Sequence, residues 1–147
     1  MDVYTATRTV PYGPRLEERL DALLAGEPVD VGDGQMIGTY ADLPGFEAET
    51  VPTIARITRK VSRQGLHLCA LEVRHPLIGE DTYLVLAVDG KLYEVPEPGI
   101  GGTRVPKKVR WVPGPAIEVE FEETYEGRTV RHSMLLALSL TGEREAA

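Results

Sequence analysis

After residue 50 the chain alternates apolar and polar residues with a period of two, over and over, until close to its end. Successive side chains of a strand point to opposite faces, so this alternation commits most of the chain to β-sheet. Stretches 53–61, 66–75, 82–88, 91–95, 107–112, 116–124 and 128–140 read as strands separated by Gly or Pro turns.

Two of the turns fix a register. Asp89-Gly90 between apolar runs suits a two-residue type I′ hairpin, which needs positive φ at both positions. It pairs Val88 with Lys91, Leu86 with Tyr93 and Leu84 with Val95. Leu84, Leu86 and Val88 then line one face while Val85 and Ala87 line the other, so this strand is buried on both sides and central. The second hairpin, turning at Glu126-Gly127, pairs Phe121 with His132, Val119 with Met134 and Ile117 with Leu136. A slip of one residue would set Glu120 and Glu122 against Met134 and His132. In the correct register Glu118, Glu120 and Glu122 form a solvated face, with Glu122 opposite Arg131.

The first third of the chain reads differently. Residues 1–13 hold β-branched threonines and end in prolines, as an extended arm or edge strand would. A helix is expected over 14–25. Pro14 suits its first turn, Leu16, Leu20, Leu23 and Leu24 make one apolar stripe, and Gly26 stops it. Short strands fit 29–31 and 36–40 within a Gly- and Pro-broken stretch. The predicted fold is α+β, mainly antiparallel β: a sheet sandwich or partly open barrel with one short N-terminal helix. The 147 residues suit a single β-rich domain at 14–140, preceded by the arm and followed by a frayed tail at 141–147.

No apolar run approaches the roughly 18–20 residues of a membrane span. The N-terminus shows no basic stretch followed by an apolar one, so no secretory signal is expected and the chain is assigned to the cytoplasm. The chain has no Asn, two Gln and 11 Pro, with 12 Arg against 4 Lys. A thermophilic source and a GC-rich genome both produce this composition, and the sequence does not separate them.

The residues that carry chemistry are sparse. His67 and Cys69 leave the same face of a strand roughly 7 Å apart, too far for direct hydrogen bonding. Cys69 lies among apolar neighbours, where a thiol is inert. His132, opposite Phe121, reads as a wall of the core. No Gly-x-Ser-x-Gly elbow occurs, and Asp30, Asp33 and Asp42 lack the spacing of a calcium loop. A non-enzymatic protein is therefore expected, with no catalytic residue, no metal site and no cofactor.

Segment 98–110, PGIGGTRVPKKVR, is the most suggestive. Its glycines allow close backbone approach, and Arg104, Lys107, Lys108 and Arg110 supply positive charge beside Trp111. Read as a long loop, it resembles a binding element more than a phosphate cradle, since Gly-Lys-Ser/Thr and a following helix are missing. The net charge of −7 excludes a broadly basic nucleic-acid binder. By segment, residues 1–50 carry −7, residues 51–110 carry +4 and residues 111–147 carry −4. The positive residues fall at 56–63 and 104–110. If these lie together they form a basic patch on an acidic body; alternatively the first cluster faces Glu118–Glu122 within the chain.

The expected function is a protein-interaction module: a regulatory, inhibitory or accessory protein that docks on a protein partner or self-associates. The arm, exposed sheet edges and the loop beside Trp111 support it. The alternative is a nucleotide- or nucleic-acid-binding domain using the basic loop and Trp111.

Overall fold

In the computed structural model, residues 3–8, 13–31, 53–75, 79–96, 102–114 and 116–138 are described. The expected strand at 36–40 and the tail at 141–147 lie outside them. The described chain runs β1 (Val3–Ala6), α1 (Gly13–Glu18), α2 (Leu20–Leu24), β2 (Val29–Asp30), β3 (Ile54–Arg63), β4 (Leu66–His75), β5 (Gly79–Val88), β6 (Lys91–Glu94), β7 (Thr103–Val112), β8 (Ala116–Tyr125) and β9 (Arg128–Leu138). The strands form two sheets, one of order β1-β9-β8-β7 and one of order β2-β3-β4-β5-β6. All pairings are antiparallel except that of β1 with β9. This is the α+β, mainly antiparallel sandwich that the alternation implies.

The turn chemistry explains the hairpins. Asp89 and Gly90 adopt φ of 53° and 77°, and Glu126 and Gly127 adopt 51° and 78°. Both are two-residue turns with positive φ throughout, so the flanking strands pair without offset. Val88 meets Lys91 and Leu86 meets Tyr93, and the Val95 N–H donates to the Leu84 carbonyl at 3.0 Å. Phe121 meets His132, Val119 meets Met134, Ile117 meets Leu136, and Glu122 meets Arg131.

Burial follows from these registers. Leu66, Leu68, Leu84, Leu86 and Val88 face the four-stranded sheet and pack on Val109, Ile117, Val119, Phe121, Met134 and Leu136. The opposite face of the same strands presents Cys69, Leu71, Val73, Val85 and Ala87, which the helices cover with Leu16, Leu20 and Leu23. The five-stranded sheet is thus the middle of three layers.

The helical segment departs from a single helix. It breaks at Arg19, whose φ of −118° and ψ of 28° lie outside the helical region. Leu16, Leu20 and Leu23 nevertheless stay on one buried stripe, and nothing in the sequence at Arg19 marks the break. Gly26, at φ 88°, ends the second helix as expected, its N–H donating to the Leu23 carbonyl at 3.0 Å. Glu17 has a bridging role rather than a simple dipole one. One of its oxygens accepts from Arg8 at 2.6 Å and the other from the Leu92 N–H at 2.8 Å.

Residues 3–6 of the expected arm are β1, paired to β9 of the same chain. Beyond β1, the Thr7 carbonyl accepts the Glu94 N–H at 2.7 Å, tying the first sheet to β6 of the second. An argument for docking through a projecting arm therefore finds no support in these residues.

Phe121 is the largest side chain fully enclosed between the sheets. Phe121→Ala is expected to cost about 3–5 kcal/mol, read as a lowered urea midpoint with an unchanged slope.

Candidate binding surface

The strand expected at 107–112 begins earlier, at Thr103, so Arg104 too stands on a strand rather than in the loop read at 98–110. Arg104, Lys107, Lys108, Arg110 and Trp111 all belong to β7, which pairs with β8 from Thr103 to Val112. A bulge between Pro106 and Lys108 makes this possible. Proline cannot donate to a ladder, and it is tolerated in an edge strand at a bulge. The Gly- and Pro-rich spelling conceals a strand whose partner, β8, supplies the missing regularity.

The pairing decides what these cations do. On the outer face Lys107 stands 3.7 Å from Glu122 and Lys108 3.8 Å from Glu120, while the Arg110 guanidinium donates to Glu118. From the other side Arg131 of β9 approaches Glu120 at 3.5 Å and Glu122 at 3.9 Å. The acids of β8 are thus flanked by cations from both neighbours. Exposed pairs of this kind contribute about 0–1 kcal/mol each; their larger effect is to offset the charge of β7.

The second positive cluster, on β3, has a different fate. It does not face Glu118–Glu122, because β3 lies in the other sheet. A bulge between Ile57 and Arg59 alters the register: Arg56 sits opposite Glu72, Arg59 opposite Ala70 and Arg63 opposite Leu66. Their β4 partners alternate with Leu68 along the strand, so all three arginines share the face turned toward the four-stranded sheet. They are exposed, and none makes an ion pair or side-chain hydrogen bond among the described residues. Lys60, on the opposite face, donates to the Leu24 carbonyl at 2.8 Å.

The two clusters adjoin. β7 crosses β3, β4 and β5, and where it crosses them a cleft of about 430 Å³ has Thr58 and Arg59 on one wall and Gly102 to Val105 on the other. Ala70 and Leu71 of β4 and residues 80–83 of β5, Glu80 and Asp81 among them, complete its lining. A smaller recess of about 310 Å³ continues past Arg104 and Tyr83 toward Thr5 and Thr7. Trp111 lies further along β7, opposite Ile117, and is 40 % exposed.

Behind the cleft lies Glu123, which the sequence reading passed over. It is 0 % exposed. Its Oε2 accepts the Gly102 N–H at 2.9 Å, and its Oε1 is 2.9 Å from His132 Nε2. The His132 ring packs on Phe121 with centroids 5.1 Å apart, and Arg104 lies over the same Phe121 ring at 5.8 Å. A signal did exist: Glu123 has the inward parity of Ile117, Val119 and Phe121 rather than that of Glu118, Glu120 and Glu122. A buried carboxylate is costly unless hydrogen-bonded, and here its partners pin the start of β7.

The groups that suggested chemistry are engaged elsewhere. His67 Nδ1 is 2.7 Å from the Ser62 hydroxyl. Burial first, and Lys60 second, hold its imidazole below the usual value. Cys69 is buried against the helices, and that burial pushes its thiol up to about 12, Lys60 opposing. Among the described residues no group of three or more His, Cys, Asp or Glu side chains is placed to hold a metal ion, and no helix is long and apolar enough to cross a membrane. Comparison of the chain with protein-family models, curated proteins and solved structures gives no match. The functional reading therefore rests on the residues themselves.

Two outcomes follow from these contacts. A Cβ at Gly102 would overlap the Thr124 carbonyl and the Tyr125 Cβ, so Gly102→Ala must displace the strand start and withdraw its N–H from Glu123. A stability loss of about 2–3 kcal/mol is expected for a bond to a buried carboxylate, with a shifted His132 imidazole resonance by NMR. Cys69 should resist an aromatic disulfide reagent at pH 8 in the native protein and react at once in denaturant. Its raised pKa also sets a sign. The unfolded thiol ionises first, near its ordinary 9.0, so the stability held by the protonated native thiol is full below that pH and is lost as pH climbs toward about 12.

Proposed function

We propose that the protein is a non-enzymatic protein-interaction module, of a regulatory or accessory kind, that docks on a protein partner through the side of the sandwich where β3 and β7 meet. The observation that carries this reading is the adjacency there of the arginines of β3, which have no ion-pair partners among the described residues, and the start of β7. Both stand on sheets rather than on loops, with exposed Trp111 on the same strand. A half-exposed tryptophan beside cations is a frequent anchor of protein interfaces. Cys69 and the three histidines do not compete with this reading: the thiol and His75 are buried, and the rings of His67 and His132 are engaged by Ser62 and Glu123.

The nucleic-acid alternative loses its main support with the pairing of Lys107, Lys108 and Arg110 to Glu122, Glu120 and Glu118. A surface whose cations are already offset gains little from counterion release.

A photo-crosslinking residue at position 111 tests the proposal. In nuclease-treated lysate of the source organism it should yield discrete protein adducts, and the same residue at position 21, exposed among the helices on the other face of the five-stranded sheet, should not. Adducts at both positions alike, or none at position 111, would overturn it.

A further inference from the structure

We propose that the seam between β3 and β7 binds an extended, acidic segment of a protein partner, its carboxylates held by Arg56, Arg59 and Arg63 of β3. This rests on the protein-interaction reading and names the chemistry of the partner.

The geometry of β3 carries the argument. Without its bulge, Arg56 would share a face with Thr58 and Lys60, and Arg59 and Arg63 would point the other way. The bulge turns Arg59 and Arg63 to the side of Arg56. Three arginines then share one face of β3, their positions spaced by about two and four residues of strand, or roughly 7 and 13 Å at about 3.3 Å per residue. Arg59 lines the cleft, and Arg56 a neighbouring recess with Glu72 and Arg74. An extended peptide presents every second side chain to one side at the same repeat. Carboxylates at alternate positions can therefore meet these arginines without distortion, and guanidinium binds carboxylate in a two-pronged geometry that lysine cannot offer.

The cleft supplies the second wall. β7 lines it with Thr103 to Val105, and it encloses about 430 Å³, a volume in the range of ligand-binding clefts of about 300–1,000 Å³. Thr82 adds a hydroxyl to the lining.

Charge complementarity selects a protein segment over a nucleic acid. Glu80 and Asp81 line the cleft, Glu72 stands opposite Arg56, and the chain as a whole carries −7. A uniform polyanion passing through the seam would meet those acids and the body behind them. A peptide with spaced carboxylates can place neutral residues there.

The test uses the full chain and fluorescence anisotropy at low salt, with a labelled twelve-residue peptide of alternating Glu and Ser. Saturable binding is expected, and none for the matching Lys-Ser peptide. Arg59→Glu and Arg63→Glu should each weaken binding about tenfold or more, equivalent to about 1.4 kcal/mol. Arg19→Glu, the same charge change among the helices on the other face of the five-stranded sheet, should leave affinity within about twofold when compared at about 0.15 M salt. Circular dichroism of each variant confirms that exposed substitutions leave the fold intact. Absent binding, equal loss with Arg19→Glu, tighter binding of a single-stranded oligonucleotide through the same arginines, or a dimer that occupies the seam would each overturn the proposal. Should position 111 still crosslink to protein while the acidic peptide fails, the interaction reading stands and only this acidic occupant falls.

Discussion

The central pair β4 and β5 is apolar on both faces, and the rest of the structure is arranged to cover it. Leu66, Leu68, Leu84 and Leu86 point one way, and Cys69, Leu71, Val85 and Ala87 the other. A strand pair with one wet face could end as a two-layer fold. This pair cannot, because leaving either face exposed would forgo about 25 cal/mol for each Å² of apolar surface. The amphipathic helices and the four-stranded sheet are the two covers. Once both are in place, the side chains at the margin between layers are the ones left to meet solvent or a partner.

The margins are unequal. On one side, Thr7 hydrogen-bonds to Glu94, and Arg8, Glu17 and the Leu92 N–H form a chain of contacts linking the first strand, the first helix and β6. On the other side β3 and β7 approach with no ladder between them among the described residues, and the cleft lies there. Glu123 holds the β7 wall from behind through Gly102. The same burial that makes this carboxylate costly makes it directional, since a low-dielectric setting sharpens the preference for partnered geometry.

Much of the fold was legible, for a local reason. A two-residue turn with positive φ transmits register directly to its flanking strands, so both hairpins follow from Asp89-Gly90 and Glu126-Gly127 alone. The helix stripe and its Gly26 stop are equally local. The basic strand was harder. Residues 103–106, which end in Pro106, read as loop because a single sequence shows no partner, and only the β8 ladder with a bulge makes a strand of them. The parallel pairing of β1 with β9 joins opposite ends of the chain, a contact for which no short-range pattern exists. The site followed the same division. Arg104, Lys107, Lys108, Arg110 and Trp111 stood out by composition, whereas the unpaired status of Arg56, Arg59 and Arg63 depends on which strand ended up opposite the acids of β8.

The sequence by itself determined the β period, the turns, the two-sided burial of β5 and the polarity of charge along the chain. Each of these is written in neighbours a few residues apart, where backbone geometry leaves little choice. Tertiary structure alone decided the order of strands, the two bulges and the partner of each cation. Those depend on strands distant in sequence competing for the same edges, and on packing both faces of one sheet at once. The acids of β8 could satisfy only the cations placed beside them. β7 and Arg131 took those places, and the arginines of β3 were left facing the open seam.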